Sequence, residues 1–246
     1  MEQTGRLDRG DGVELAWAQL VGRGPTVVFL HGFASDMSGA KALAVRDFCA
    51  AQGLAMLRQD CSGHGLSGGR FEGGTIGRWV EDVACVIAAR TEGKLLLVGS
   101  SMGGWLALLL ALRLGDRVTA LVGIAAAPDF TERLMWQSMA PAEQAVLMRE
   151  GRLEVPSQYG APLLITRALI EEGRRHLLLD GPIALSCPVR LLHGMVDADV
   201  PWEMALTLSR QLVLGDVQVT LIKDGDHRLS REGDLAVLTR VLGELV

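Results

Sequence analysis

The chain has 246 residues, 49% of them apolar, which is enough for one sizeable core and typical of a single α/β domain. It carries 24 basic and 29 acidic residues, a net charge of −5, without a cluster of Lys and Arg, which argues against nucleic-acid binding. The longest apolar run, residues 105–112, is too short for a membrane span, so we expect a soluble protein.

The N-terminal twelve residues carry charges throughout, lack the apolar core of a secretory signal and are not acid-poor like a transit peptide. We therefore expect a cytoplasmic protein. The four cysteines are widely spaced without a CxxC pair, which predicts reduced thiols and neither disulfides nor a thiolate metal site.

Short apolar runs bounded by Gly and Pro predict buried strands, and segments with helical apolar spacing predict helices between them. The alternation of the two predicts an α/β fold with a mostly parallel central sheet covered by helices on both faces. The predicted strands are residues 26–30, 54–58, 95–99, 118–124, 189–193 and 217–222, with residues 13–20 compatible with an antiparallel strand at the start. The predicted helices are residues 41–51, 75–89, 102–114, 202–212 and 232–245.

Between residues 128 and 186 the strand pattern stops and a helix-rich, Met- and Leu-bearing stretch intervenes. We interpret it as a helical cap inserted into a single domain of residues 1–246. Because proline breaks helix interiors but tolerates a first turn, Pro141, Pro156 and Pro162 are expected to divide the cap into short helices.

The strongest chemical signal is a GxSxG motif, Gly99-Ser100-Ser101-Met102-Gly103, directly between a predicted strand and a predicted helix. A serine on such a turn has a strained backbone that exposes its hydroxyl, and the flanking glycines allow close approach of neighbouring chain. The helix N-terminus also aims the Met102 N–H at developing negative charge. A Gly/Ser-rich turn without chemistry is the alternative, but this context makes Ser101 the candidate nucleophile.

A serine nucleophile needs a base, and the base needs an orienting group. Asp197 follows the strand at residues 189–193, and His227 follows the strand at residues 217–222. Since the carboxyl ends of parallel strands share one edge of a sheet, we expect both side chains near Ser101. Asp197 would hold the His227 tautomer, while His227 would take the Ser101 proton and return it to the leaving group.

Other residues compete for these roles. The alternatives for the acid are Asp199, Asp224 and Asp226, each of which could equally be a solvated or turn-forming carboxylate. The other histidines precede a glycine at a strand end, lie in a Gly-rich loop or lie in the cap, which leaves His227 as the base; they are His31, His193, His64 and His176.

The tripeptide His31-Gly32-Phe33 follows the strand at residues 26–30, and its glycine permits a tight turn that presents the Phe33 N–H. Together with the Met102 N–H, it would form a two-donor oxyanion hole.

Residues 60–67, after the strand at residues 54–58, are interpreted as a structural loop beneath the site. Asp60 and His64 alone supply too few ligands for a metal ion. We therefore expect neither a metal nor a cofactor.

These elements, from His31 to His227 with Ser, Asp and His in that chain order, resemble the α/β-hydrolase superfamily. More narrowly, four segments are similar to its palmitoyl-protein thioesterases and acyl-glucuronide esterases: GSSMGGW at 99–105, PSQY at 156–159, CPVRLLHGMVDADVPW at 187–202 and DHRLSR at 226–231. The resemblance implies a triad of Ser101, Asp197 and His227 and hydrolysis of long-chain acyl thioesters or esters.

The predicted cap is compatible with such substrates. Nine apolar residues either line a pocket or only form cap core: Leu134, Met135, Trp136, Met139, Leu147, Met148, Leu163, Leu164 and Ile165. Four arginines either bind an acidic leaving group or form a solvated face: Arg133, Arg167, Arg174 and Arg175.

We therefore predict a serine hydrolase that cleaves carboxylic esters or thioesters through an acyl-enzyme at Ser101, on a small molecule or an S-acylated protein. Carbon–carbon bond hydrolysis or peptidase activity on the same fold stays open, as does a non-catalytic ligand receptor. Acyl chain length, leaving group and oligomeric state stay open as well.

Overall fold

An eight-stranded sheet forms the centre of the computed structural model, which describes residues 1–156, 162–213 and 215–246. The strands of the chain are β1 (Glu2–Asp8), β2 (Glu14–Leu20), β3 (Arg23–Leu30), β4 (Leu54–Gln59), β5 (Leu95–Ser100), β6 (Val118–Ile124), β7 (Arg152–Val155), β8 (Leu163–Thr166), β9 (Val189–Gly194) and β10 (Val217–Ile222). The order in the sheet is β1-β2-β4-β3-β5-β6-β9-β10. The first three of these pair antiparallel and the six strands from β4 onward pair parallel, which confirms the predicted sheet.

Helices cover both faces of this sheet. They are α1 (Ala40–Gln52), α2 (Ile76–Arg90), α3 (Met102–Leu114), α4 (Pro141–Glu150), α5 (Arg167–Gly173), α6 (Glu203–Gln211) and α7 (Glu232–Gly243). Successive side chains of β5 point to opposite faces, as a pleated strand requires. Leu95 and Leu97 join a core with α2, α3 and α6, whereas Leu96 and Val98 join a core with α1 and α7.

The insertion, residues 128–186, lies between β6 and β9 and differs in part from its predicted helical structure. It contains α4 and α5, but also an antiparallel ribbon of β7 and β8. Pro141 begins α4, as predicted, whereas Pro156 follows β7 and Pro162 precedes β8 instead of separating helices. Strands of four residues are too short for a periodic signal, which explains the incomplete prediction. Of the PSQY segment, residues 157–159 lie outside the described residues.

Two further observations concern the whole chain. None of the described helices is long and apolar enough to cross a bilayer. The four cysteines carry free thiols, and three of them, Cys49, Cys61 and Cys187, are buried.

Candidate active site

Ser101 occupies a strained turn between β5 and α3. Its backbone has φ 53° and ψ −118°, a region that residues with a side chain rarely adopt. The Ser101 N–H donates to the Ile124 carbonyl (2.9 Å), and the Ser101 carbonyl accepts from the Ala127 N–H (3.2 Å). These bonds to the end of β6 hold the turn in place.

Two glycines allow the turn to be this tight. A Cβ on Gly99 would collide with the Gly103 carbonyl, and a Cβ on Gly103 would collide with the Leu30 carbonyl at the end of β3. The start of α3 therefore approaches the neighbouring strand more closely than any side chain permits.

His227 and Asp197 lie next to Ser101, in the loops after β10 and β9. The His227 Nε2 is 3.1 Å from the Ser101 Oγ, and the His227 Nδ1 is 2.7 Å from the Asp197 Oδ2. The other oxygen of Asp197 accepts the N–H groups of Asp199 (2.9 Å) and Val200 (2.8 Å). The structure thus brings together the three side chains that the sequence singled out.

The Asp197 carboxylate is fully buried. Burial opposes its ionisation, but hydrogen bonds from His193 and His227 outweigh burial and hold the pKa of Asp197 well below its usual range. Because a charged carboxylate only accepts, the His227 Nδ1 must carry the proton. The lone pair of Nε2 then faces the Ser101 hydroxyl.

The competing acids make other contacts. Asp224 is exposed and pairs with Arg231 at 2.8 Å, and Asp226 accepts the Leu229 N–H at 3.0 Å. Asp199 has a carboxylate oxygen within 4.8 Å of the ligand atoms of Asp197 and His227, in the one group with metal-compatible spacing among the described residues. Two members of that group are already hydrogen-bonded to each other, so we assign it no metal.

The candidate oxyanion donors are the Phe33 and Met102 N–H groups. Within the described residues, neither N–H has a hydrogen-bond acceptor. Gly32 lies against the turn at Ser101, since a Cβ built on it would be 3.4 Å from the Ser101 Cβ. The Phe33 ring packs against Phe71, with centroids 5.0 Å apart. Both donors therefore remain available to an incoming oxygen.

The loop at residues 60–67 makes structural contacts, as predicted. The Asp60 carboxylate accepts the N–H groups of Met37 (2.7 Å) and Leu66 (2.8 Å). Burial nevertheless raises its pKa. With both oxygens occupied, Asp60 is a poor metal ligand.

A cavity of about 920 Å³ opens at Ser101 and His227. Its apolar wall combines four rings, Phe29, Phe33, Phe71 and Phe130, with four further residues of the insertion, Leu134, Met135, Leu163 and Leu164. A second cavity of about 280 Å³ shares Leu134, Met135 and Leu163 and adds Met139 and Ile165. Six of the nine apolar candidates thus line a cavity, whereas Trp136, Leu147 and Met148 are not among the lining residues described.

The lining of the larger cavity also includes four charged residues, Asp36, Lys41, Asp199 and Arg228. The sequence analysis considered Asp199 only as a competing acid and missed the other three. None of the four arginines proposed for an acidic leaving group is among the described lining residues. Arg133 instead pairs with Asp129 and Asp180, and Arg174 pairs with Glu132. Arg228 directly follows the predicted base His227 in the chain, and this position was the sequence feature that could have indicated a charged residue in the cavity lining.

Lys41 connects α1 to the loop that carries His227. Its Nζ donates to the Arg228 carbonyl. Burial lowers the pKa of Lys41 to about 8, although Asp226 and Asp197 oppose the shift. A partly desolvated cation therefore lies in the wall beside the reactive side chains.

Comparisons with known proteins identify the family of the chain. The family described as serine aminopeptidase, S33, matches residues 24–169. Palmitoyl-protein thioesterase ABHD10, mitochondrial, of Mus musculus is 38% identical over 242 residues, which cover 98% of this chain and 81% of that protein.

Two solved structures are similar over the whole chain. Alpha/beta hydrolase domain-containing protein 10 from mouse has a TM-score of 0.91 at 38% identity, covering 99% of this chain and 98% of its own. A protein of Agrobacterium vitis S4 described as a hydrolase has a TM-score of 0.94 at 40% identity, covering 100% of this chain and 98% of its own.

Proposed function

From its membership of the α/β-hydrolase family, which makes this chain a serine ester or thioester hydrolase, we propose that it cleaves long-chain acyl thioesters or esters through an acyl-enzyme on Ser101. The observation that carries the proposal is the hydrogen-bonded series Ser101, His227 and Asp197, with distances of 3.1 and 2.7 Å. A weak alcohol nucleophile becomes reactive when a correctly oriented base can take its proton.

In the acylation step, the Ser101 Oγ attacks the acyl carbon while the His227 Nε2 takes its proton. The charged Asp197 stabilises the resulting imidazolium. The Phe33 and Met102 N–H groups bind the negative oxygen of the tetrahedral intermediate. Collapse of the intermediate breaks the bond to the leaving alcohol or thiol, which receives the proton from His227.

In the deacylation step, water takes the place of the departed alcohol or thiol. His227 accepts a proton from this water as its oxygen attacks the acyl carbon of the Ser101 ester. The second tetrahedral intermediate uses the same two N–H donors. Its collapse releases the carboxylic acid and returns the proton to Ser101.

The cavity supports an acyl substrate with a substantial apolar part. The rings of Phe33, Phe71 and Phe130 and three leucines of the insertion, Leu134, Leu163 and Leu164, line the same cavity as Ser101. We infer that the insertion acts as a cap over the acyl chain. The name of the mouse relative, palmitoyl-protein thioesterase, supports a long acyl chain carried as a thioester on a protein, and a small-molecule acyl ester or thioester is the alternative substrate.

The family description favours a second candidate, aminopeptidase activity, which would use the same three side chains on an amide. The apolar wall favours acyl chains over a peptide N-terminus, because a charged amine is costly to desolvate there.

The names of the relatives include the word mitochondrial, and a cytoplasmic location for this chain stays a prediction.

A substrate panel tests the proposal. We expect kcat/KM for p-nitrophenyl esters and acyl-CoA thioesters to rise from acetyl to longer acyl groups. Each fully buried methylene should lower the activation free energy by up to about 0.8 kcal/mol. Each substrate is also assayed with Ser101→Ala, which should be inactive. A preference for acetyl groups, or faster cleavage of aminoacyl p-nitroanilides than of any ester, contradicts the proposal.

A further inference from the structure

His64 contacts the turn that carries the proposed oxyanion donor. The Ala34 N–H points at the His64 Nε2, with 3.3 Å between the nitrogens. Ala34 has a left-handed φ of 52°, which is unfavourable for a residue with a side chain and persists only where its surroundings enforce it. The residue before it is Phe33, so this contact fixes the conformation directly after the donor N–H.

The other ring nitrogen determines which nitrogen carries the proton. The His64 Nδ1 is 3.3 Å from the Ser62 carbonyl, which also accepts the Trp79 Nε1–H at 3.1 Å. Because a carbonyl only accepts, the His64 Nδ1 must be protonated. The Nε2 lone pair is then directed at Ala34, as acceptance of its N–H requires.

The ring of His64 is held on several sides. Its centroid is 5.1 Å from those of Phe71 and Trp79 and 4.8 Å from that of His31. Burial, together with repulsion from His31, lowers the pKa of His64 to about 4, against the opposing effects of the Ser62 carbonyl and the Asp60 and Asp82 carboxylates. The ring is therefore neutral and keeps its acceptor near neutral pH.

A second histidine ties the same turn to the same loop. The His31 Nε2 accepts the Cys61 N–H at 3.1 Å, while its Nδ1 lies 2.8 Å from the Gly32 carbonyl. The loop itself is anchored by Asp60, whose carboxylate accepts two backbone N–H groups. Residues 31–34 are thus hydrogen-bonded to the loop at residues 60–67 at two points, through His31 and through His64.

We propose that His64 is a positioning residue for the oxyanion hole, whose Nε2 lone pair holds the Ala34 N–H so that the preceding Phe33 N–H stays directed at the Ser101 site. The inference rests on the proposed function. An oxyanion donor acts only if it is already in place when negative charge develops, so a loosened turn lowers transition-state stabilisation more than substrate binding.

Substitution of the ring separates positioning from packing. His64→Phe keeps a ring beside Phe71 and Trp79 but removes the acceptor, whereas His64→Gln restores an acceptor of similar reach. With a p-nitrophenyl ester, we expect His64→Phe to lower kcat at least about tenfold and to change KM less than about twofold. The loss in kcat should stay below the roughly 10²–10³-fold loss that follows complete removal of an oxyanion donor. His64→Gln should recover most of this loss.

An inhibitor series and active-site titration provide the readout that packing would not move. The affinity of a trifluoromethyl ketone, which forms an oxyanion on Ser101, should fall by the same factor as kcat/KM in His64→Phe. The proposal is overturned if the titrated His64→Phe enzyme keeps kcat within about twofold of wild type, or if only its melting temperature changes. If instead wild type and Ser101→Ala are equally active, the proposed function itself fails.

The wild-type chain offers a test that does not depend on folding of a variant. In ¹⁵N-histidine NMR at pH 7, we expect the His64 resonances of a neutral ring with protonated Nδ1 and bare Nε2. A charged ring, or a proton on Nε2, would leave no acceptor for Ala34 and would overturn the proposal.

Discussion

His193 and His227 bind the same carboxylate oxygen, the Oδ2 of Asp197, at 3.2 and 2.7 Å. The His193 Nε2 also lies 3.0 Å from the Val200 carbonyl, so this nitrogen carries a proton that it shares between two acceptors. Asp197 is therefore held from the side of β9 as well as from the side of His227. This support keeps the buried carboxylate charged and in position to orient the proposed base.

We predict that Asp197→Asn lowers kcat about 10⁴-fold. The amide has an NH₂ donor in place of one carboxylate oxygen, and a donor that faces the His227 Nδ1 favours the wrong His227 tautomer. Ester hydrolysis at pH 7 measures the effect. Asp199→Asn is the matched control, since it removes a neighbouring carboxylate that lines the cavity, and we expect a much smaller loss. Equal losses in the two variants would mean that general negative charge, and not the contact with His227, is what matters.

Gly103→Ala should destabilise the fold. Alanine favours helices, but at this position its methyl group would collide with the carbonyls of Leu30 and His31. We expect the free energy of unfolding in urea to fall by roughly 1–3 kcal/mol. Gly181→Ala, where a Cβ meets no atom within 4 Å, should change it by less than about 0.5 kcal/mol. A Gly103→Ala variant as stable as wild type would show that the turn can relax.

Lys41→Met should change stability in a pH-dependent manner. The pKa of Lys41 is about 8 in the folded chain and near the ordinary lysine value of 10.5 when unfolded, so below pH 8 the folded state carries a penalty for a buried cation. Between pH 8 and pH 10.5 the unfolded chain binds more protons than the folded chain, so the stability of the wild type rises with pH relative to that of the variant. The free energy of unfolding of Lys41→Met minus that of wild type should therefore be about 1–3 kcal/mol larger at pH 7 than at pH 10.

Lys94→Met is the control for this measurement. Lys94 is exposed, and its Nζ likewise donates to a carbonyl, that of Asp116, at 2.7 Å. We expect its stability difference from wild type to be the same at both pH values within error. A flat pH profile for Lys41→Met as well would mean that Lys41 is fully solvated in the folded chain.

Much of the fold was predictable because each buried parallel strand has its own apolar run. Two of the predicted strands, at residues 118–124 and 217–222, have the observed limits. Strand β1 was missed because it lies at the sheet edge with three charged residues in seven, so only backbone pairing with β2 identifies it. The ribbon of β7 and β8 was missed because of its short strands.

The reactive side chains were predictable because each one directly follows a strand of the parallel sheet, where spacing along the chain translates into proximity. Lys41 and His64 had no such signal. Lys41 reaches the site through a backbone carbonyl of residue 228, and His64 acts on the N–H of residue 34. A contact between a side chain and a distant backbone group leaves no recognisable pattern of residues, so these two contacts could not be predicted from the sequence.

Covalent labelling of Ser101 tests the central claim most directly. The chain is treated with a fluorophosphonate, and the modified peptide is identified by mass spectrometry beside hydrolysis assays of Ser101→Ala. We predict one adduct, on the Ser101 Oγ, and a loss of turnover of about 10⁶-fold in the alanine variant with an unchanged melting temperature. An adduct on another residue, or more than about a tenth of wild-type turnover in Ser101→Ala, would contradict the assignment of Ser101 as the nucleophile.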